Sequence, residues 1–360
     1  MEIWITGVAS PRASARTARQ LEEAGWDGFL VVDSQNLSGD PYVALAMAAS
    51  TTQRLGLGTG VSNSVTRHAA VTACSIASVD RVSNGRAVLG IGRGDSALAH
   101  LGRAPGRLAQ FERYLRQLQT YLRGEAVPFE DIDIPAAMAP PMSELELADA
   151  PPASRIDWIA QGLAGGIRKV PVEVAASGPR VIAIAARHAD RVMFALGADL
   201  DRIAWGIETA RAARRAAGLD PETLRFGAYL NVGCHTEIDR ARDLVKGGLT
   251  TFARFSVMHG RTSGPLSSGD DAVLHELRNA YDMKAHTMAN SRQAEVLTPA
   301  FIDRFAITGT PDRVIERLRQ VKALGLDKIS VSGGMRGASA EDAATSKALL
   351  ETEVLPALRG

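Results

Sequence analysis

Short apolar runs alternate with helical patterns along most of this chain. Eight runs have the length and character of strands, and they cover residues 2–8, 28–34, 54–61, 86–94, 172–177, 190–197, 225–235 and 327–334. The run GFLVVDS at 28–34 is almost entirely apolar, which is typical of a strand buried on both faces of a parallel sheet.

Amphipathic segments with apolar positions at helical spacing separate these runs. The predicted helices cover residues 15–25, 43–52, 66–82, 107–124, 179–188, 200–217 and 310–325. Regular alternation of strand and helix indicates βα units around a parallel sheet. Since eight strands can close a barrel, the pattern predicts an α/β fold, a (β/α)8 TIM barrel with insertions.

An open, doubly wound sheet is the alternative architecture, because it also alternates strands and helices. Such a sheet would place its ligands at one switch point between strands. In this chain, glycines and polar residues recur at the C-terminal ends of many predicted strands. That distribution favours the barrel, whose active sites lie at that end.

Two stretches interrupt the alternation. Residues 127–171 are rich in Pro, Ala and Met without a clear period, and we interpret them as an insertion or lid-like excursion. Residues 237–306 are mainly helical. We expect residues 1–360 to form a single domain whose pocket is built largely by these two insertions. Candidate lining residues are Trp158, Trp205, Met258 and His259, with core packing as the alternative for the apolar ones.

Charge and cysteine usage narrow the set of partners. Lys and Arg number 41 against 40 Asp and Glu, so a net charge of +1 gives no overall field for nucleic acid or a membrane surface. Cys74 and Cys234 show no metal-binding spacing, and we predict neither a disulfide framework nor a metal site. No window has the roughly 18 apolar residues of a membrane span, and no leader pattern begins the chain. We expect a cytoplasmic, unprocessed protein that binds a small molecule.

Two segments at predicted strand ends carry candidate anion-binding chemistry. In GIGRGDS, Gly92 and Gly94 allow close backbone approach, and Arg93 offers a fork to a phosphate, or else forms a structural salt bridge. In AASGPRV at 175–181, we predict Ser177 as the N-cap of a helix. The amides of Ser177, Gly178 and the first turn, which contains Pro179, would then form an anion site near Arg180, with ordinary capping as the alternative.

Polar residues end several other predicted strands. Asp33 follows the second strand and either faces a ligand or caps the next segment. Asn231 ends the seventh strand and Gly333–Gly334 end the eighth. Their side chains and amides line the pocket or make turns.

The block from 58 to 105 contains TRHAA, NGRAVLGIGRGDSA and the segments between them. It resembles the luciferase-like superfamily of flavin- and deazaflavin-dependent enzymes, and is most similar to the methylenetetrahydromethanopterin reductase group. Together with strands two, five and eight, the resemblance covers most of the chain except the insertions. It implies an oxidoreductase that binds its cofactor at the C-terminal ends of the barrel strands.

The resemblance also implies roles for individual residues. Arg93 matches an arginine that contacts the FMN phosphate, and the loop at 177–180 matches one that holds the cofactor phosphate. Gly60-Val61 matches a non-prolyl cis peptide that supports the cofactor ring from behind. Asn63 lies where relatives place a polar group near the ring, with a turn-forming Asn as the alternative.

Candidates for proton transfer are fewer. Many relatives carry an acidic residue and a histidine where this chain has Asp33 and Ser34, so imidazole chemistry at that position is in doubt. Asp33, Asp95 or water are left as the catalytic candidates. Asp95 matches an acidic position in some deazaflavin-dependent relatives, with helix capping as the alternative. Ser34, His68 and Asn231 are candidate substrate-side residues, although a His that begins a helix is more often structural.

Three functions fit these features. The favoured one is an FMN monooxygenase that uses reduced FMN supplied by a flavin reductase and acts on a small organic substrate, because the compact FMN phosphate suits one arginine and a helix N-terminus. The second is a coenzyme F420-dependent reductase or dehydrogenase that transfers hydride. The acidic tail of that coenzyme would need a basic groove on the protein. The third is a non-catalytic flavin-binding relative, since the histidine at position 34 is missing. The resemblance allows a homodimer or higher oligomer with helices such as 66–82 between subunits; a monomer also fits.

Overall fold

The computed structural model describes residues 1–333 and 336–359. Its strands all run parallel and are β1 (Glu2–Gly7), β2 (Gly28–Val31), β3 (Gly56–Thr59), β4 (Ser62–Asn63), β5 (Ala87–Gly92), β6 (Val172–Ala176), β7 (Arg191–Phe194), β8 (Arg225–Cys234), β9 (Ile307–Gly309) and β10 (Lys328–Ser332). Eight of them form the barrel in the order β1-β2-β3-β5-β6-β7-β8-β10, and β10 closes it by pairing with β1. The predicted (β/α)8 TIM barrel is therefore confirmed.

Helices surround the barrel and fill the second insertion. They are α1 (Pro11–Glu23), α2 (Pro41–Ala49), α3 (Ala69–Val82), α4 (Ser96–Ala99), α5 (Leu108–Leu122), α6 (Asp157–Ala164), α7 (Pro179–His188), α8 (Leu200–Ala216), α9 (Ile238–Phe255), α10 (Ser268–Ala280), α11 (Arg292–Glu295), α12 (Pro299–Phe305), α13 (Pro311–Ala323), α14 (Ala340–Leu349) and α15 (Leu355–Arg359). In the described part of the chain, no helix is both long and apolar enough to span a bilayer.

Several strands are shorter than the apolar runs that predicted them. The run at 28–34 gives a strand only as far as Val31, because its ladder with β1 ends where Gly7 pairs with Val31. The run at 54–61 gives β3, and the short β4 begins just after this run and pairs with β5. The polar residues that follow β2 and β3 therefore lie beyond these ladders, at the C-terminal end of the barrel.

The C-terminal segment was not predicted as structured. It forms α14 and α15, joined by a π-helical turn at Leu350–Val354, and Leu350, Val354 and Leu355 pack into the main core. The ten residues of α14 are rich in Ala and charged residues and show little amphipathic pattern. This explains why the periodicity of the sequence did not reveal the C-terminal helices.

The first insertion lies at the face of the barrel that is opposite to the one we expected. Residues 127–171 connect the C-terminal end of α5 to the N-terminal end of β6, which places both of their ends at the N-terminal face. Trp158 of α6 packs against Arg81, and the Cζ of Arg81 lies 5.8 Å from the centroid of the Trp158 ring. Arg168 donates a hydrogen bond to the Gly85 carbonyl at 2.7 Å. The lid interpretation is therefore wrong, and Trp158 does not line the barrel mouth.

The second insertion lies at the opposite, C-terminal face, because it follows β8 directly. Its helices have an apolar core of their own that includes Leu249, Phe301 and Phe305. Phe252 of α9 reaches down to the barrel interior, where its ring stacks with that of Tyr229 at a centroid distance of 6.1 Å. The second insertion therefore covers the mouth of the barrel.

A buried ion cluster lies near the N-terminal end of the barrel interior. Glu173 of β6 accepts hydrogen bonds from Lys328 Nζ at 2.7 and 3.0 Å and from Arg191 of β7. Lys328 Nζ also lies 3.4 Å from the ring centroid of Trp4 in β1. The Lys328 side chain is completely buried. Burial lowers the pKa of its ammonium, while the Glu173 carboxylate opposes that effect. The carboxylate thus joins three barrel strands, and Lys328 connects this cluster to a fourth strand through Trp4.

We predict that Lys328→Met lowers the free energy of unfolding by about 3–5 kcal/mol, because it leaves Glu173 buried with one cation fewer. Chemical denaturation would measure the loss. Lys347→Met is the matched control, since it breaks a half-exposed pair with Glu351 and is expected to cost about 1 kcal/mol or less. Equal losses of unfolding free energy in the two variants would contradict the view that the buried cluster stabilises the closed barrel.

Candidate functional site

Arg93 stands directly after β5 and is held by a loop that returns to it. Its Nε donates to the Gly106 carbonyl at 2.7 Å, and the Gly106 N–H donates to the Arg93 carbonyl at 2.9 Å. These reciprocal bonds fix the base of the side chain. Within the described residues, the two terminal nitrogens of the guanidinium form no hydrogen bond, which leaves them available to a ligand.

A second arginine lies close enough to repel the first. Burial lowers the pKa of Arg93, and the positive charge of Arg180 on α7 lowers it further. Across residues 1–333 and 336–359, neither arginine forms an ion pair with a carboxylate. Two cations held together without an anion form a site suited to a phosphate, which matches the predicted pairing of Arg93 with the 177–180 loop.

The N-terminus of α7 differs by one residue from the prediction. Gly178, not Ser177, is the N-cap, with φ −102° and ψ 154°, and Pro179 is the first helical residue. The residue before a proline is held in the extended region, so the helix begins at the proline. A Cβ added to Gly178 would meet no atom within 4 Å, and the helix N-terminus therefore opens onto free space.

Glycines and a cis peptide shape the wall opposite α7. The Gly60-Val61 peptide bond is cis, as the resemblance implied. Gly94 has φ +86°, and a Cβ there would lie 2.8 Å from Leu98 Cδ1, so a larger residue would force a shift. A Cβ on Gly92 would come within 3.3 Å of Val61 Cγ2. Gly92 therefore lies close to Val61, and Gly94 lies close to Leu98.

The Asn63 side chain is engaged in a turn. Its Oδ1 accepts from the amides of Val65 and Thr66 at 3.0 and 2.9 Å, and its Nδ2 donates to Thr66 Oγ1 at 3.0 Å. This geometry corresponds to the turn-forming alternative. It leaves one N–H of the amide for any contact with a cofactor.

Asp33 lies in a closed network at the end of β2. The residue is 3% exposed, and its Oδ2 accepts from Ser62 Oγ at 2.6 Å and from Arg67 Nη1 at 2.5 Å. Arg67 Nη2 continues to Asp40 at 2.9 Å, and Asp40 caps α2. Burial alone would lower the pKa of Arg67, but Asp33 outweighs it and raises the pKa. Because Arg67 was not singled out in TRH, this partner was missed.

Ser34 and His68 have structural partners. Ser34 Oγ and Ser96 Oγ lie 2.7 Å apart, which ties the end of β2 to the start of α4. His68 is the N-cap of α3, and its Nδ1 accepts from the Ala70 N–H at 3.2 Å. Its Nε2 is buried and lacks a partner within the part of the chain that the structure describes. Burial lowers the pKa of this imidazole.

Buried polar atoms without partners point into the barrel from β8. Within the described residues, Asn231 Oδ1 and the Tyr229 hydroxyl form no hydrogen bond. Asn231 pairs in register with Ser332, at the C-terminal end of the barrel. An unpaired buried polar group costs free energy, and a ligand group can remove that cost. Gly333, the residue directly after β10, is exposed, and Gly334 lies outside the described residues.

Asp95 contacts the second insertion. It occupies the N-cap position of α4, but its side chain accepts no bond from that helix. Its Oδ2 instead accepts from Arg254 Nη2 of α9. Beyond Arg254 lie Tyr281 and His286, which sequence reasoning missed. Nothing in their local pattern marks them, and only the position of the insertion after a barrel strand could have suggested this face.

Comparisons with known proteins identify the family. The luciferase-like monooxygenase family matches residues 4–328. A 5,10-methylenetetrahydromethanopterin reductase from Methanolobus tindarius is 26% identical over 342 residues, which cover 91% of this chain and 92% of that protein. The chain therefore belongs to the luciferase-like monooxygenase family, and it is an oxidoreductase.

Solved structures share the fold over almost the full length. Coenzyme F420 dependent tetrahydromethanopterin reductase from Methanopyrus kandleri aligns with a TM-score of 0.70 at 19% identity, covering 99% of this chain and 98% of that one. EDTA monooxygenase from Chelativorans sp. BNC1 aligns with a TM-score of 0.64 at 14% identity, covering 100% and 93%. These likenesses agree with the barrel.

We predict a pH-dependent stability difference between the wild type and His68→Asn, in which the amide oxygen keeps the cap. The folded-state pKa of His68 is depressed, so the unfolded chain takes up this proton first as the pH falls. The wild type should therefore lose stability relative to the variant as the pH falls below about 6.5, the ordinary histidine pKa. Denaturation midpoints at several pH values would measure the difference.

His275→Asn is the control, because His275 is a partly exposed histidine of α10 that contacts Asp271. That variant should follow the wild type more closely over the same pH range. A stability difference between the wild type and His68→Asn that does not change with pH would contradict the argument that burial lowers the pKa of His68.

Proposed function

We propose that this protein is a deazaflavin-dependent oxidoreductase that transfers hydride between coenzyme F420 and a small organic substrate. The relative from Methanolobus tindarius is named a reductase, and the structure from Methanopyrus kandleri is described as coenzyme F420 dependent. The TM-score for that structure is higher than the one for the EDTA monooxygenase, 0.70 against 0.64. Both comparisons support reductase chemistry over the FMN monooxygenase that Arg93 and the helix N-terminus favoured in the sequence.

The observation that carries this proposal is the grouping of arginines beside the anion site. Arg180 lies near enough to Arg93 for its charge to lower the pKa of Arg93, and the loop that holds Arg93 through Gly106 also bears Arg103 and Arg107. Among the described residues, none of these four arginines pairs with a carboxylate. One arginine and a helix N-terminus suffice for the compact phosphate of FMN, whereas additional unpaired cations suit a long acidic tail.

The residues present fit such a cofactor. Arg93, Arg180 and the free amides at the start of α7 would hold the phosphate, since helix N-termini favour anions. Val61 would support the ring, and Asn231 Oδ1 would accept a hydrogen bond that it otherwise lacks. Phe252 of α9 would shield the mouth from water. When bound, the deazaflavin supplies a carbon that accepts or donates a hydride.

The two acidic candidates differ in their surroundings. Asp33 already holds Arg67 and Ser62, so we propose that it positions this wall. Asp95 faces the second insertion through Arg254, and we propose that it acts on the substrate side. Ser34 and His68 support the same wall through Ser96 and α3.

We predict that the wild type binds the deazaflavin more tightly than FMN, and that Arg93→Ala and Arg180→Ala each weaken this binding about 10-fold to 100-fold. The range follows from losing a hydrogen bond to a charged group. Fluorescence titration under reducing, oxygen-free conditions would measure both cofactors. Arg116→Ala is the matched control, because Arg116 is exposed on α5 and has no carboxylate partner within the described residues.

The variant Arg103→Glu/Arg107→Glu separates the two cofactors. It should weaken the deazaflavin through its acidic tail and leave FMN affinity nearly unchanged, and the effect should shrink at high salt. Tighter binding of reduced FMN by the wild type would instead favour the monooxygenase and its reductase partner. Failure to bind either cofactor would contradict the proposed site.

We also propose that two copies of this chain associate through α2 and α3. The nine residues of α2 include no charged side chain, yet Val43 and Met47 are 52% and 43% exposed. Val71 of the adjoining α3 is 51% exposed. An uncharged apolar face can pair with its own copy around a two-fold axis without charge conflict.

We predict that Met47→Asp converts such a dimer to a monomer, because it places a carboxylate in the apolar contact. Analytical ultracentrifugation would measure the mass. Leu219→Asp, a change at an exposed apolar residue after α8, is the control and should leave the mass unchanged. A monomeric wild type would refute this interface.

A further inference from the structure

Four residues distant in sequence form a hydrogen-bonded and charged cluster above the barrel mouth. Arg254 of α9 pairs with Asp95, and its Cζ lies 4.4 Å from the ring centroid of Tyr281. The Tyr281 hydroxyl lies 2.7 Å from Nδ1 of His286. Thr251 of α9 gives the same hydroxyl a second, longer contact at 3.3 Å. The second insertion therefore delivers an imidazole to the end of β5.

The charges around His286 come from three separate segments. Burial lowers the pKa of His286, Asp95 opposes this, and Arg254 and His100 lower the pKa further. Burial also raises the pKa of Tyr281. Near neutral pH the pair is therefore an uncharged imidazole beside an uncharged phenol. Such a pair can take up a proton from a ligand.

The cluster keeps hydrogen-bonding capacity that its own members do not use. Arg254 Nε is buried and, within residues 1–333 and 336–359, has no partner. In the same part of the chain, Nδ1 is the one ring nitrogen of His286 with a hydrogen bond, to Tyr281. Asp95 stands two residues after Arg93, the proposed phosphate contact. The cluster is thus placed where a substrate would meet the cofactor.

We propose that His286 is the proton-exchanging residue of this site, with Tyr281 as its positioning residue and with Asp95 and Arg254 setting its protonation. This inference rests on the proposed hydride transfer. The chemical class that it fits is a secondary alcohol and the matching ketone. Both carry an oxygen whose proton must move when hydride moves.

In the direction of oxidation, the carbon that bears the hydroxyl loses hydride, with both electrons of its C–H bond, to the oxidised deazaflavin. The hydroxyl O–H bond breaks, its electron pair forms the C=O bond, and the proton passes to Nε2 of the neutral His286. In the direction of reduction, the imidazolium returns that proton to the ketone oxygen as hydride arrives at carbon.

The first test uses the cofactor-free protein and needs no substrate. Long-range 1H–15N spectra of the histidine side chains would follow each titration, with His286→Gln assigning the signal. We expect His286 to titrate below the ordinary histidine range. Arg254→Met should raise its pKa by removing a cation, and Asp95→Asn should lower it by removing an anion. An ordinary titration that neither variant moves would overturn the proposal.

The second test measures single-turnover reduction of oxidised deazaflavin by 2-propanol as the probe alcohol. His286→Gln should slow it by about 100-fold or more, the usual contribution of a general base, with little change in deazaflavin affinity. The rate should fall as the pH falls through the pKa of His286. Asp95→Asn and Arg254→Met should shift the pH at which the rate falls in opposite directions. A merely structural role of these residues would not produce such opposite shifts.

His275→Gln, on the exposed face of α10, is the matched control and should keep the wild-type profile. If wild-type protein binds no deazaflavin, the proposed function fails, and the spectra alone then decide whether His286 exchanges protons in this cluster. If His286→Gln does not fold, Tyr281→Phe replaces it in both tests. Full turnover in both His286→Gln and Tyr281→Phe would overturn the inference.

Discussion

The buried carboxylate of Glu173 is the constraint on which the barrel depends. Lys328 and Arg191 bring their charges to it from β10 and β7, and Trp4 covers Lys328 from β1. A buried ion group of this kind tolerates little displacement, since any cation that moves away leaves a charge without compensation. The N-terminal end of the interior is thereby filled. Chemistry is consequently confined to the C-terminal end, where the second insertion lies.

At that end the polar groups fall into two kinds. The Asp33–Arg67–Asp40 network satisfies its own charges and builds a wall. Arg93 and Arg180 do the opposite, because the positive charge of Arg180 lowers the pKa of Arg93, and among the described residues neither arginine pairs with a carboxylate. A site built from a rigid, self-satisfied wall and an unsatisfied cationic pair is organised to receive an anionic group.

The sequence allowed the barrel to be predicted because eight apolar runs and their intervening helices each carry a local periodic pattern. Arg93, Gly94 and Arg180 could be singled out because they lie within a few residues of strand ends. The N-cap was misplaced by one residue because a serine was preferred over the constraint that Pro179 imposes on Gly178. Contacts such as Arg254 with Asp95 join residues 159 positions apart, and no local pattern encodes them.

The two insertions show why the direction of the chain matters more than composition. The Pro-rich stretch at 127–171 looked like a lid, yet it follows a helix and so returns to the N-terminal face. The helical stretch at 237–306 follows a strand and so emerges above the mouth. The proposed cofactor contacts come from Arg93, directly after β5, and from the start of α7, whereas Arg254, Tyr281 and His286 come from this second insertion. In the proposed site, residues 237–306 can therefore vary on the substrate side while Arg93 and the start of α7 keep their geometry, because the Arg254–Asp95 ion pair lies two residues beyond Arg93.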